Sequence, residues 1–273
     1  MYKQLRIWLF VLLGTLLTSS SLLAEGLITM TTSRTVGEEI QLIIKANGNV
    51  TIEGAQETGQ ANESGFKPYR LTSQTITIRG DVTELDCPFS ELTSLDVSKS
   101  AALEILYCSD NKLTSLDVSK NTALTSFSCF DNQLTSLNVS KNRALTTLSC
   151  GGNQLTSLDL SKNTALTELN CPDNQLTSLD VSKNTALESL ECSINQLTSL
   201  NISGCARLDA LYCFSNCING EAMTKLVNSL PNRKGMSSGS LCVVSRFSKK
   251  SDKNRCSAAD VTTAKKKNWE VQQ

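Results

Sequence analysis

Seven cysteines, Cys87, Cys108, Cys129, Cys150, Cys171, Cys192 and Cys213, stand 21 residues apart, and nothing else constrains this chain's shape so much. The residues around them recur with the same period. Taking units to begin at Leu92, Leu113, Leu134, Leu155, Leu176 and Leu197, each has two similar halves. The first reads Leu-Thr-Ser-Leu-Asp-Val-Ser-Lys-Asn with small departures. The second reads Leu-x-x-Leu-x-Cys-x-x-Asn, where Phe127 once replaces the second Leu. A unit this short can pass two faces and two corners, but it cannot bury its own row of leucines. Burial requires successive units to stack as coils, with parallel strands about 4.8 Å apart.

A period of about 20 to 29 residues, with Leu at set offsets and one Asn, is the pattern of a leucine-rich repeat solenoid. The expected fold is such a solenoid of parallel β-strands, with a short β-rich N-terminal cap and a small α/β C-terminal cap. The divisions run as follows: a signal peptide over 1–24, the N-terminal cap over 25–70, the repeats over 71–217 and the C-terminal cap over 218–273.

Seven evenly spaced cysteines in an exported protein invite a disulfide or a metal channel. Parallel stacking argues against both. Equivalent side chains point the same way with Cβ atoms about 4.8 Å apart, whereas a disulfide needs converging vectors and about 3.5–4.5 Å. The ladder is read instead as small apolar filler. The Asn row (Asn111, Asn132, Asn153, Asn174, Asn195, Asn216) is read as corner amides that bond to bare backbone of adjacent coils. Asp96, Asp117, Asp159 and Asp180, with Asn138 and Asn201, alternate with a Lys row on the other half-coil, read as solvated scaffold.

The ends depart from the period. Lys3 and Arg6 precede an apolar run from Ile7 to Leu17, then Thr18 to Ser21 turn polar before Ala24, as in a secretory signal. The apolar run is short for a membrane span, and the alternative reading is an uncleaved N-terminal anchor. Ile40, Leu42 and Ile44, then Val50 and Ile52, alternate around the turn-forming Asn47-Gly48, and Thr75 to Ile78 reads as another strand. Ile76 sits at the repeat position later held by Val97 and Val118, which merges the cap into the first coil. Beyond Cys217, Met223, Leu226, Val227 and Leu230 fall at helical spacing before Pro231. Leu241 to Val244 reads as a strand, Ser257 as the N-cap of a short helix, and Trp269 to Val271 as a last strand. Cys205, Cys217, Cys242 and Cys256 lie off the ladder; a disulfide among them is expected, with Cys242–Cys256 the first choice among open pairings.

Histidine is absent, which removes the commonest general base and zinc ligand, and no Cys-x-x-Cys occurs. No activated nucleophile with a nearby base is evident, so no enzyme, catalytic residue, cofactor or metal is expected. The formal net charge is zero but uneven, with a net of +7 from Ile218 to Gln273 and about −8 over residues 26–217. The basic end is read as a solvated cap, with an anionic contact as the alternative, and nucleic acid is not an expected partner.

These residues resemble the secreted leucine-rich repeat proteins of Bacteroidetes, the internalin-like group. The resemblance rests on Ile28-Thr-Met-Thr-Thr, Val50-Thr-Ile-Glu-Gly, the Leu-Thr-Ser-Leu-Asp-Val-Ser-Lys-Asn repeats, Leu226-Val-Asn-Ser-Leu-Pro231, Asn254-Arg-Cys256 and Ala264-Lys-Lys-Lys-Asn-Trp269. It implies a surface or secreted protein that binds other proteins, sometimes in host adhesion. Many such proteins carry a further sorting or anchoring domain, whereas this chain stops soon after its cap.

Specificity in a solenoid is carried where the repeat varies. Outward positions of the strand face vary from coil to coil. Candidate partner-binding residues are Ile105, Tyr107, Ser128, Phe130, Glu168, Glu191, Tyr212 and Phe214. Exposed aromatics bury large area at small entropic cost, so Tyr107 with Phe130 forms one candidate patch and Tyr212 with Phe214 another. For the second pair, contact with the C-terminal cap is the favoured alternative. The leading function is an exported protein-binding scaffold, secreted or at the cell surface or in the periplasm, as an adhesin or host-interaction protein. The alternatives are a structural envelope-associated protein without a discrete ligand, and a carbohydrate-binding module.

Overall fold

The computed structural model describes residues 26–244 and 252–272. The signal-like segment lies outside the described residues. The repeats form a parallel β-solenoid. Strands Val82–Asp86, Ile105–Tyr107, Ser126–Ser128, Thr147–Ser149, Glu168–Asn170, Ser189–Glu191 and Ala210–Tyr212 stand side by side in one sheet. Their register equals the sequence period: Ser126 pairs with Thr147, and Thr147 with Glu168. On the opposite face Ser178–Asp180 pairs with Ser199–Asn201 in the same register.

Burial follows the repeat. The inward residue before each ladder cysteine's neighbour in the seven solenoid strands (Leu85, Leu106, Phe127, Leu148, Leu169, Leu190, Leu211) is fully enclosed, and so is every ladder cysteine. All eleven cysteines are free thiols. Burial pushes the Cys150 thiol up to about 12, and its ladder neighbours are raised for the same reason. Such thiols stay protonated and unreactive at neutral pH.

Two rows of asparagine hold the corners. In the expected row, Asn132 accepts from the Leu113 amide at 3.0 Å and donates to Cys108 O at 2.9 Å and Cys129 O at 3.2 Å. Each amide therefore bridges two coils. A second buried row, Asn121, Asn142, Asn163 and Asn184, ties coils together at the other corner by donation alone. Asn142 donates to Val118 O at 2.9 Å and to Asn121 O at 2.8 Å. Cys205 occupies the next position of this second row, with its thiol 3.3 Å from Val181 O, which explains why it is off the cysteine ladder. The Asp96 row is also structural. Asp96, Asp117, Asp159 and Asp180 each accept from the Ser amide two residues on, at 2.8–2.9 Å, so the row consists of turn braces.

The N-terminal cap closes both faces at once. Glu39–Ala46 runs antiparallel to Val82–Asp86 and extends the main sheet, while Leu27–Thr32 runs antiparallel to Leu92–Asp96 on the other face. Thr75–Arg79 is not the next coil of the stack, as the position of Ile76 implied. Leu27–Thr32 lies between it and Leu92–Asp96, pairing with both, and Met30 stands opposite Ile76 on one side and Leu95 on the other. An antiparallel insert ends the parallel stack and covers its apolar end.

At the far end, helix Gly220–Ser229 buries Met223, Leu226 and Val227. Strand Gly239–Cys242 continues the main sheet parallel to Ala210–Tyr212, and Trp269–Gln272 follows it. Helix Ala258–Lys266 starts at Ser257 with a capping box, in which Ser257 Oγ accepts from the Asp260 amide at 3.1 Å while Asp260 accepts from the Ser257 amide at 2.9 Å. The proposed Cys242–Cys256 disulfide is not formed. The Cys242 thiol lies 3.8 Å from Val244 O and that of Cys256 lies 4.0 Å from Ser257 O, each engaged with local backbone. Asn254 takes the place of the next corner Asn, accepting from the Ile218 amide at 2.7 Å and donating to Cys213 O at 2.8 Å.

Candidate interaction face

The outer surface of the main sheet is built from residues on either side of each enclosed strand centre. Alternation in a strand sends successive side chains to opposite faces, so Ile105 and Tyr107 point outward because Leu106 points in. The same holds for Ser128 beside Phe127, Glu168 beside Leu169, Glu191 beside Leu190 and Tyr212 beside Leu211. Phe130 and Phe214 stand outward just beyond the strand ends. Glu168 is exposed and the other seven candidates are half-buried.

The two aromatic pairs are arranged differently from a simple patch. The Tyr107 hydroxyl reaches across to Ser126 Oγ at 2.8 Å, and Ser109 Oγ meets Ser128 Oγ at 2.7 Å. Phe130 leans the same way, over the next coil. A Cβ added to Gly151 would come within 2.7 Å of the Phe130 ring and 2.8 Å of Pro172 Cδ, so the absence of a side chain at Gly151 leaves the space the ring occupies. Tyr107 and Phe130 therefore spread apolar surface over neighbouring coils. Tyr212 pairs in register with Cys242, and the cap continues the sheet two strands past it.

The electrostatics of this face are lopsided. Burial and the neighbouring Glu84 push the Asp86 carboxyl up to about 6. Burial raises Glu191, whose carboxylate accepts from the Ser193 amide at 2.9 Å. Asp131 is raised by burial and then by the like charges of Asp110 and Asp173. Glu84 is paired with Lys45 at 2.8 Å, and Glu188 with Arg207.

One residue escaped the sequence reading. Phe89 is 66% exposed and has φ of 49°. It belongs to a left-handed corner column continued by Asp110, Asp131, Gly152, Asp173, Ile194 and Ser215, all with φ between 49° and 61°. Asp and Gly accept that conformation readily, whereas Phe89, like the β-branched Ile194, adopts it at a cost. The signal was present as a Phe at a 21-residue register position otherwise held mostly by small or turn-forming residues. Phe89 and Pro88 line one side of a cavity of about 300 Å³ with Phe66, Ile40 and Arg34. Arg34 is anchored by donation to Phe89 O at 2.9 Å.

No protein-family model matches the chain, and no curated protein matches it. Solved structures do. A leucine-rich repeat protein of Leptospira interrogans is 21% identical, with a TM-score of 0.53, over 65% of this chain and 44% of that one. Internalin C2 of Listeria monocytogenes is 19% identical, with a TM-score of 0.53, over 70% of this chain and 81% of that one. The fold is a leucine-rich repeat solenoid. The functional domain of InlJ from Listeria monocytogenes, which includes a cysteine ladder, is 30% identical over 72% of this chain and 50% of that one, with a TM-score of 0.48. The chain spans half or less of the InlJ and Leptospira structures. Among the described residues, no helix of this solenoid is long and apolar enough to cross a membrane.

Proposed function

We propose that this protein is an exported protein-binding scaffold, and that the outer face of its main sheet holds the partner in an adhesive or host-interaction role. The observation that carries this reading is the contrast between the two sides of one sheet. Behind it, Leu, Cys and Asn repeat coil after coil. In front of it, Tyr107, Phe130, Glu168, Glu191, Tyr212 and Phe214 do not. Core packing needs only the repeat, so the variation is available for recognition. Export rests on the signal-like start of the sequence, and the internalin-type structural neighbours are consistent with that setting.

The double substitution Tyr107→Ala/Phe130→Ala tests the face. Both side chains are half-buried and outside the enclosed core, so the far-ultraviolet circular dichroism should be unchanged and the melting temperature within about 3 °C of the parent. Capture of a saturable ligand from surface-protein extracts, competed by soluble chain, should fall at least tenfold. Undiminished capture would place the binding surface elsewhere.

A further inference from the structure

Across the seven solenoid coils the strand face carries charge of one sign. In each of the seven solenoid coils, five outward positions line this face; in the second coil they are Glu104, Ile105, Tyr107, Ser109 and Asp110. Reading the same positions through all seven coils, from Thr83 to Ser215, gives ten acidic residues and no Lys or Arg. The repeat does not impose this. The opposite half-coil keeps a Lys in five coils, so basic residues are compatible with the solenoid.

Holding these acids together costs stability. Asp110, Asp131 and Asp173 occupy one corner column, and the Asp131 carboxyl feels both neighbours as repulsion. Like charges directly opposed on a sheet are destabilising, and partial burial of Asp86 and Glu191 removes water that would soften them. Apolar rings are interleaved with the charge: Phe89 and Tyr107 at one end, Phe130 near the middle, Tyr212 and Phe214 at the other. Sites that violate local rules of stability are where function is expected.

We propose that this face takes a cationic polypeptide segment, rich in Lys or Arg and carrying apolar or aromatic side chains between them. The inference rests on the strand face being the binding surface and adds the chemistry of what binds there. Seven strands about 4.8 Å apart span about 30 Å, so an extended segment of roughly nine residues crosses the row. Its cations face the acidic row, and its apolar side chains meet the rings.

Fluorescence anisotropy on the full chain tests this with three labelled 12-residue probes: alternating Arg and Leu, alternating Glu and Leu, and alternating Arg and Ser. The Arg-Leu probe should bind at least tenfold tighter than either other probe and weaken at least tenfold between about 0.05 and 0.5 M salt. Asp86→Asn/Asp131→Asn/Glu191→Gln should weaken it at least fivefold with unchanged circular dichroism, and Tyr107→Ala/Phe130→Ala should weaken it with less effect on the salt dependence. Equal binding of the Glu-Leu probe, or indifference to the triple substitution, overturns the charge inference. If the aromatic pair still governs capture of a natural ligand, the binding face survives that failure. Salt-sensitive self-association through the basic C-terminal region, or a calcium-induced rise in melting temperature abolished by the triple variant without peptide binding, would replace the cationic segment with another occupant and likewise overturn it.

Discussion

A single corner amide braces two coils at once. Asn153 accepts from the Leu134 amide at 2.9 Å and donates to Cys129 O at 3.0 Å, Cys150 O at 3.2 Å and Gly151 O at 3.0 Å. Removing it strands buried backbone groups in two coils, which costs far more than one hydrogen bond's net worth. Asn153→Ala should lower the unfolding free energy by about 3 kcal/mol in urea titration, while the exposed neighbour Gln154→Ala should change it by less than about 0.5 kcal/mol. A loss under about 1 kcal/mol for Asn153→Ala would deny the bracing role. This row was legible because corner amides at a fixed period have one sensible use. The second row was visible in the Ser-Lys-Asn triplets, but beside an exposed Lys each Asn read as one more solvated side chain. Asn254 was not legible as a brace, because it completes the row from outside the period, where only tertiary contact brings it to Cys213.

Elements extend the same lesson. Helix Gly220–Ser229 was readable from its apolar spacing, and helix Ala258–Lys266 from the capping residue Ser257, since both signals are local. The insertion of Leu27–Thr32 between Thr75–Arg79 and Leu92–Asp96 was not, because strand pairing between distant segments leaves no mark in either one. The left-handed corner column belongs to this scale. Every coil needs a residue at positive φ there, and Phe89 fills it with little compensating burial. Phe89→Asn should therefore raise the unfolding free energy by about 1 kcal/mol, since Asn adopts that conformation at lower cost. Chemical denaturation reads this directly, and a loss of stability would mean that the ring packs usefully against the neighbouring cavity wall.

At the scale of the molecule, the solenoid separates a uniform interior from an acidic, variable face. This division sets its pH dependence. Asp86, Asp110, Asp131 and Glu191 are raised in the folded state, so each costs stability when ionised, and the cost disappears as pH falls through the folded value toward the ordinary one. Asp96, Asp117, Asp159 and Asp180 are lowered by hydrogen bonds from Ser98, Ser119, Ser161 and Ser182; their contribution is intact above the ordinary value of 3.8 and is lost as pH falls below it. The melting temperature should thus rise on going from about pH 7.5 to a maximum between about pH 4 and 6, then fall toward about pH 3. A steady decline from neutral pH downward would contradict the view of the strand face as strained by its own charge. The architecture was legible at this scale because a 21-residue period allows few stackings. The excess of about eight negative charges over residues 26–217 was legible, but its gathering on one face was not, because that depends on which positions of each coil point outward.

The central claim is that what repeats builds the scaffold and what varies recognises the partner. Its most direct test measures thermal melting and ligand capture side by side for Asn153→Ala and for Tyr107→Ala/Phe130→Ala. The account predicts separation: the first variant melts lower yet captures normally at a temperature where it is folded, and the second melts like the parent and captures at least tenfold less. Loss of stability and capture together in the aromatic variant, or loss of neither, would contradict it.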